Sequence, residues 1–433
     1  MHEIFLCASF LIASLASFSY CQTDVYIGLE NKRQNQESIF LAGFVPTNAN
    51  QQELEKSILI RDIVRYDLFF SRYFDIKEDL LNPMSLKEDK EALNFFSNSS
   101  SYYIRAEIAI ATNTLNLKGQ IYNLKNKQKI FEKNYISGLS SLRKLAHFFS
   151  DDIIYKLTNN IGIATTKIAF SNDSTGKKEI YMVDYDGENL IKLTNHKSIS
   201  LMPRWANDGY RLYYTTYKNR NPDIYEIDFK KGTMSPFSTY QGLNIPGGFS
   251  PDASTLALTL SKGKDPSIYL MGLKNKELKK LIDRFGVSAS PTYSPDGKEI
   301  AFISDISGNP QLHIYNFETG KTRKLTRLNW TDSPNWSASG QWIVFSGRES
   351  VKEKMNIFII DPTGSQIKRL TRNEGDNEDP SFSPDSRFIC FTTTRNKKRE
   401  IYIMDIDGSA PHSLIENMEG NSYTPSWSYN YHN

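Results

Sequence analysis

The chain has 433 residues, more than one ordinary core holds and enough for two domains. Its 52 Lys and Arg against 49 Asp and Glu leave a net charge of +3, which gives no electrostatic ground for a nucleic-acid partner. Aromatics make up 12% and are mostly Tyr and Phe, a composition suited to β-structure.

Residues 1–21, MHEIFLCASFLIASLASFSYC, read as an export signal: an apolar run from Ile4 to Phe18, then Ser19 and Cys21 as small residues before a cleavage at Gln22. The start carries no Lys or Arg. A retained anchor is the competing reading, although the run is shorter than the ~20 residues a spanning helix needs. No later segment reads as transmembrane. Cys7 and Cys21 belong to this leader, and Cys390 sits in the apolar strand RFICF, so the mature chain offers no disulfide pair.

Residues 22–160 read as a small α/β domain. Strands are expected at 24–30 and 38–46, then a helix from 51 to 73 whose apolar side carries Leu54, Ile58, Ile63, Tyr66 and Phe70. Residues 82–100 are polar and rich in Asn and Ser, and are expected to form a mobile loop. Strands follow at 102–111, 115–123 and 130–136. A second helix over 140–159 places Leu142, Leu145, Phe149, Ile153 and Leu157 on one side.

Beyond residue 160 one phrase recurs. MPRWANDG, IPGGFSPD, SPTYSPDG, SPNWSASG, DPSFSPDS and TPSWSYN place Trp205, Phe249, Tyr293, Trp336, Phe382 and Trp427 at steps of 44, 44, 43, 46 and 45 residues. A period in this range is one four-stranded propeller blade. The repeated Ser-Pro-Asp-Gly is hairpin-turn chemistry before it is anything catalytic. The segment 166–194 has a blade's later strands without a first one, and TPSWS at 424–428 is a first strand with nothing after it. Joined, they complete a sixth blade and leave no open edge. The expected fold is therefore an α+β N-terminal domain, 22–160, followed by an all-β six-bladed propeller, 161–433, closed by the C-terminal strand.

Enzyme signatures are missing. Gly248-Phe249-Ser250-Pro251-Asp252 is not a nucleophile elbow, and Gly320-Lys321-Thr322 lacks the upstream glycine of a phosphate loop. The six histidines are scattered without zinc-site spacing; His147 is expected on a helix surface and His313 in a strand. No cofactor or metal is expected.

The leader, the helix SSLRKLAHFFSDDIIYKLT at 140–158 running into the strand TKIAFSN at 166–172, the six repeats and the terminal PSWSYN together resemble the TolB family, periplasmic propellers of the Tol-Pal cell-envelope system. The likeness covers essentially the entire mature chain. Gly247-Gly248 in place of Pro-x and Ser337-Ala338-Ser339 in place of Ser-Pro-Asp depart from the pattern. The resemblance implies a non-enzymatic periplasmic adaptor with two partners. A Pal-like peptidoglycan-associated lipoprotein would dock on the loops that enter the Pro-x-aromatic strands. The matching positions here are Met202, Leu243, Asn244, Pro246, Ser288, Ala289, Trp330, Thr331, Asp332, Glu378, Asp379 and Tyr423. A TolA-like inner-membrane protein would take the mature N-terminus, Gln22, Thr23, Asp24, Val25 and Tyr26. Trp330 suits an interface hot spot, with a seat between two blades as the plainer alternative. Asp332, Glu378 and Asp379 form an acidic rim, a weak cation site or simply solvated loop charge. A ligand- or carbohydrate-binding propeller outside the Tol system is the second reading, and a degraded peptidase propeller the third.

Overall fold

A computed structural model describes residues 36–48, 50–78, 89–262, 265–283, 285–372 and 374–430. The expected leader, the strand at 24–30 and the candidate tail Gln22–Tyr26 lie outside the described residues.

The N-terminal part is a sheet backed by helices. Its strands are β1 (Glu37–Leu41), β2 (Val45–Pro46), β3 (Phe74–Lys77), β4 (Tyr102–Ala111), β5 (Thr114–Asn123) and β6 (Gln128–Gly138), in the order β3-β1-β4-β5-β6 with β2 beside β4. Helices α1 (Gln51–Phe70) and α3 (Leu142–Thr158) pack on one face over a core that includes Ile60, Val64, Leu68, Phe149 and Ile153. α1 starts where Asn50 accepts a hydrogen bond from Glu53 N at 2.8 Å, a side-chain cap. The apolar side expected for α1 is corrected in part: Ile63 and Phe70 are buried, but Ile58 and Tyr66 are exposed, and the buried stripe also takes in Glu53, Ser57, Ile60, Val64, Asp67 and Leu68. Polar residues can lie on the buried stripe because each finds a partner. Glu53, for one, accepts from Asn48 N at 2.9 Å and Ile110 N at 3.2 Å. Residues 89–96 are also corrected, from loop to helix α2 (Asp89–Phe96), whose Leu93 and Phe96 close an aromatic cluster with Phe40, Tyr103 and Tyr122.

The rest of the described chain is six four-stranded sheets. The first blade runs Ser200–Trp205, Arg211–Thr216, Asp223–Asp228 and Thr233–Ser238, and four more follow with innermost strands Asn244–Phe249, Ser288–Tyr293, Trp330–Trp336 and Asn377–Phe382. The sixth is assembled from both ends. Ser422–Trp427 pairs antiparallel with Lys167–Asn172, setting Trp427 opposite Ile168. Ser428 N donates to Lys167 O at 2.8 Å, and Trp427 Nε1 donates to Thr166 Oγ1 at 2.8 Å. Closure thus satisfies the strand edge that would otherwise stay open. Asp151 of α3 fixes the connection into the propeller, accepting from Ala164 N at 2.8 Å and Thr165 Oγ1 at 2.7 Å.

The repeated turn behaves as its chemistry requires. Ser294 Oγ donates to Asp296 at 2.6 Å and accepts from Glu299 N at 2.9 Å, while Gly297 takes φ of +72°. In the fourth blade Ser339 stands in for the aspartate, its hydroxyl 3.0 Å from that of Ser337.

Five of the six innermost strands carry a bulge just before a central proline. Met202, Ser290, Ser333, Asp379 and Thr424 adopt φ between +49° and +55°, where the pairing register slips. The second blade has Pro246 at this position, and proline cannot reach positive φ. The slip there falls between Pro246 and Phe249, spanning two glycines. A Cβ on Gly247 would lie 2.6 Å from both Ala257 O and Pro291 Cγ, so the close approach of two blades requires glycine.

Candidate functional site

Within a blade, antiparallel strands put the turn after the first strand at one end of the wheel and the entry to that strand at the other. All six entry loops therefore open on one face. The N-terminal part covers the opposite face through the turns. Arg387 donates to Ser71 O, Arg72 lies 3.5 Å from Asp405, Arg143 pairs with Asp186, and Tyr185 OH donates to Asp67.

The open face gathers the predicted site residues at the tunnel mouth but divides them into two sets. Asn244, Ser288 and Thr331, the first or second residues of their strands, are buried at 0%, 4% and 0% exposure, and Pro246 is buried as well. Asn244, Ser288 and Thr331 use their side chains within the chain. The Asn244 amide donates to Tyr240 O at 2.6 Å and Gly242 O at 2.8 Å and accepts from Ser238 Oγ at 2.8 Å. Thr331 Oγ1 donates to Pro310 O at 3.2 Å, and Ser288 Oγ to Ser304 Oγ at 3.2 Å. Met202, Leu243, Ala289, Asp332, Glu378, Asp379 and Tyr423 stay half-buried, and Trp330 is 38% exposed. The Trp330 ring is not sealed between blades; the Arg348 guanidinium sits 5.8 Å from its centroid.

Trp330, Arg348, Asp332, Ser333, Glu378 and Asp379 line a hollow of about 350 Å³. Its acidic character is partly compensated. Glu378 pairs with Arg399, and Asp379 accepts from Ser333 Oγ at 2.8 Å. Burial, reinforced by Asp379 and Glu378, pushes the Asp332 carboxyl up to about 6. Tyr423 is fixed by its hydroxyl's bond to Asp173 at 3.0 Å and by Lys178 over its ring at 3.6 Å.

The open face also carries apolar residues that no repeat motif marks. Phe285 is 93% exposed and Val351 71%, and Ile306 and Val287 are also exposed. All belong to loops of the third and fourth blades on the open face. An exposed aromatic next to Gly286 and Val287 was the available signal, but turn residues hid it among ordinary loop sequence.

The covered face has its own site. His147 is corrected from helix surface to core: it is 3% exposed, with Nδ1 2.9 Å from Asp67. His313 lies buried in Gln311–Asn316, as expected. Burial alone would lower the His147 pKa, but the Asp67 carboxylate, its hydrogen bond and nearby Asp186 outweigh that and raise it. His147, Asp184 and Asp186 bring ligand atoms within 4.8 Å of one another. Arg143 and Lys167 already pair with the two aspartates, so the donor set is neutralised from within and does not suit a cation. Beside it a cleft of about 520 Å³ opens between α3 and the wheel, lined by Arg143, Phe148, Trp205, Tyr210, Phe229 and Lys230 among others.

Fold and site together define a β-propeller closed by its own C-terminal strand, with an α/β layer over one face and the other free. The chain belongs to the family of the TolB beta propeller domain, whose profile matches residues 154–431. It is 29% identical over 223 residues to the Tol-Pal system protein TolB of Desulfosudis oleivorans, covering 49% of this chain and 50% of that one. It is 33% identical over 156 residues to the Tol-Pal system protein TolB of Geobacter sulfurreducens, covering 35% of this chain and 36% of that protein. The matched segments thus span half or less of these relatives' length. The crystal structure of TolB from Acinetobacter baumannii superposes with a TM-score of 0.75 at 25% identity, over 91% of this chain and 97% of that one. Among the described residues no helix is long and apolar enough to cross a membrane.

Proposed function

We propose that this protein is a non-enzymatic periplasmic adaptor of the Tol-Pal system. Its open face holds a Pal-like peptidoglycan-associated lipoprotein, and its mature N-terminus, from Gln22 to Tyr26, engages a TolA-like inner-membrane protein. The pairing couples the outer envelope to an energised inner-membrane complex during constriction. The observation that carries this reading is the convergence of six entry loops on one free face, bearing Trp330 at 38% and Phe285 at 93% exposure. Ordered loops on a rigid wheel lose little entropy when a partner binds, and an aromatic anchor beside charged groups is the usual composition of a hot spot. Division into 22–160 and 161–433 follows the same reading, the first part carrying the tail and the second the docking face.

The test is surface plasmon resonance between the mature protein and a purified peptidoglycan-associated lipoprotein from the same cells. Trp330→Ala is expected to weaken binding at least tenfold, while deletion of residues 22–28 abolishes capture by the inner-membrane partner and leaves the lipoprotein contact intact. No binding by the unmodified chain to either partner sinks the proposal.

A further inference from the structure

Around the tunnel, five of the six innermost strands place a polar side chain just before the aromatic residue. Four of these seal a seam between blades by accepting from the next blade's backbone. Trp205 N donates to Ser426 Oγ at 3.3 Å, Trp336 N to Thr292 Oγ1 at 3.3 Å, Phe382 N to Asn335 Oδ1 at 2.8 Å, and Trp427 N to Ser381 Oγ at 3.1 Å. The two remaining seams break the rule. Gly248 has no side chain, and there the blades close by direct backbone approach, a Cβ on Gly248 meeting Thr292 Cα at 2.9 Å. Arg204 has only donors, so it cannot receive the Phe249 amide as a serine would.

Arg204 is therefore unexplained as a seam residue. Its side chain lines the tunnel with Thr292, Asn335 and Ser426, around a space of about 80 Å³, room for two or three waters at ~30 Å³ each. Its one hydrogen bond goes to Pro203 O at 3.0 Å, and no carboxylate among the described residues forms an ion pair with it. Arg204 is half-buried, and the attraction of Asp379 does not offset the loss of water, which leaves the guanidinium below its usual range. Thr292, Asn335 and Ser426 spend their oxygens on backbone amides, which leaves their own O–H or N–H protons for the lumen. A cation without a partner, ringed by spare donors, is costly unless an anion joins it.

We propose that the tunnel holds a small oxyanion, a carboxylate or a phosphate, bound by Arg204 and the spare donors of Thr292, Asn335 and Ser426. The space adjoins the cleft under α3, with which it shares Trp205, Ser428 and Tyr429.

The mature protein is titrated with inorganic phosphate, and separately with acetate, in a low-salt zwitterionic buffer, following the thermal midpoint and the heat of binding. Saturable one-to-one binding is expected, with Arg204→Gln at least tenfold weaker and Asn335→Leu several-fold weaker; the anion that saturates at lower concentration identifies the source. Equal responses from wild type and Arg204→Gln overturn the proposal. Arg204→Ser guards against a misfolded variant. Its hydroxyl can accept from Phe249 N as Ser426 accepts from Trp205 N, so the anion-free protein is expected to melt higher than wild type and to bind no anion. An Arg204→Ser protein that melts lower in every buffer and still responds to phosphate makes Arg204 a structural residue and overturns the site.

Discussion

The two ends of the wheel are built from the same repeats and do opposite things. On the covered end, polar and charged groups of the turns find partners in the N-terminal part: Asp186 in Arg143, Asp405 in Arg72, Tyr185 in Asp67. On the open end large apolar groups stay in water, Phe285 and Val351 above all. One surface has spent its complementarity inside the molecule and the other keeps it for something else. Repetition of sequence therefore fixes the shape of both faces without making them equivalent.

The largest effect is expected where both ends depend on closure. Trp427→Ala removes a ring 4% exposed and its bond to Thr166, and is expected to cost about 3–5 kcal/mol in urea denaturation, loosening both faces together. A loss confined to one face would mean that the sixth blade is not what holds the ring. Next comes the covered end alone. Asp67→Ala leaves His147 and Tyr185 buried without their carboxylate and is expected to cost about 3 kcal/mol, with faster amide exchange in residues 184–188 but not around Trp330.

A pH series separates the faces more finely. The His147 pKa is raised in the folded state, so its contribution is complete below the ordinary histidine value of about 6.5 and is lost as pH rises through the higher folded value. The groups facing it are Asp67, Asp184, Asp186, Arg143 and Tyr185. Between pH 6 and 9, amide exchange at 184–188 is expected to accelerate beyond its intrinsic pH dependence, and His147→Gln to abolish that excess. The smallest effect on stability belongs to the open end. Phe285→Ser is expected to change unfolding by no more than ~0.5 kcal/mol, since the ring is 93% exposed, while weakening lipoprotein capture. A large loss of stability would show that the ring packs within the molecule.

Much of the fold was legible because its signals are local. Turn chemistry, alternation and a period near 44 residues recur whatever the neighbours do, and the incomplete blade at 166–194 asks for the strand at 424–428. The α3 side was legible for the same reason: Leu142, Leu145, Phe149 and Ile153 are all buried. The α1 side was not, because its buried stripe includes Glu53, Ser57 and Asp67, whose partners come from distant segments. His147 failed likewise: its surroundings are made by α1 and by a propeller turn, neither adjacent in sequence. At the candidate face the entry loops were located, but the division between loop-holding Asn244 and Thr331 and outward Trp330 depends on which way each strand turns after its bulge.

By itself the sequence determined the number of blades, their closure by the C-terminal strand and the presence of an α/β part before them, because each follows from repeating local preferences and the need to leave no strand edge unpaired. Only the tertiary structure decided which end is covered, which side chains of the six loops meet solvent, and that Arg204 stands in the tunnel without a carboxylate. Those are relations between segments far apart in the chain, set by packing across blades and between layers.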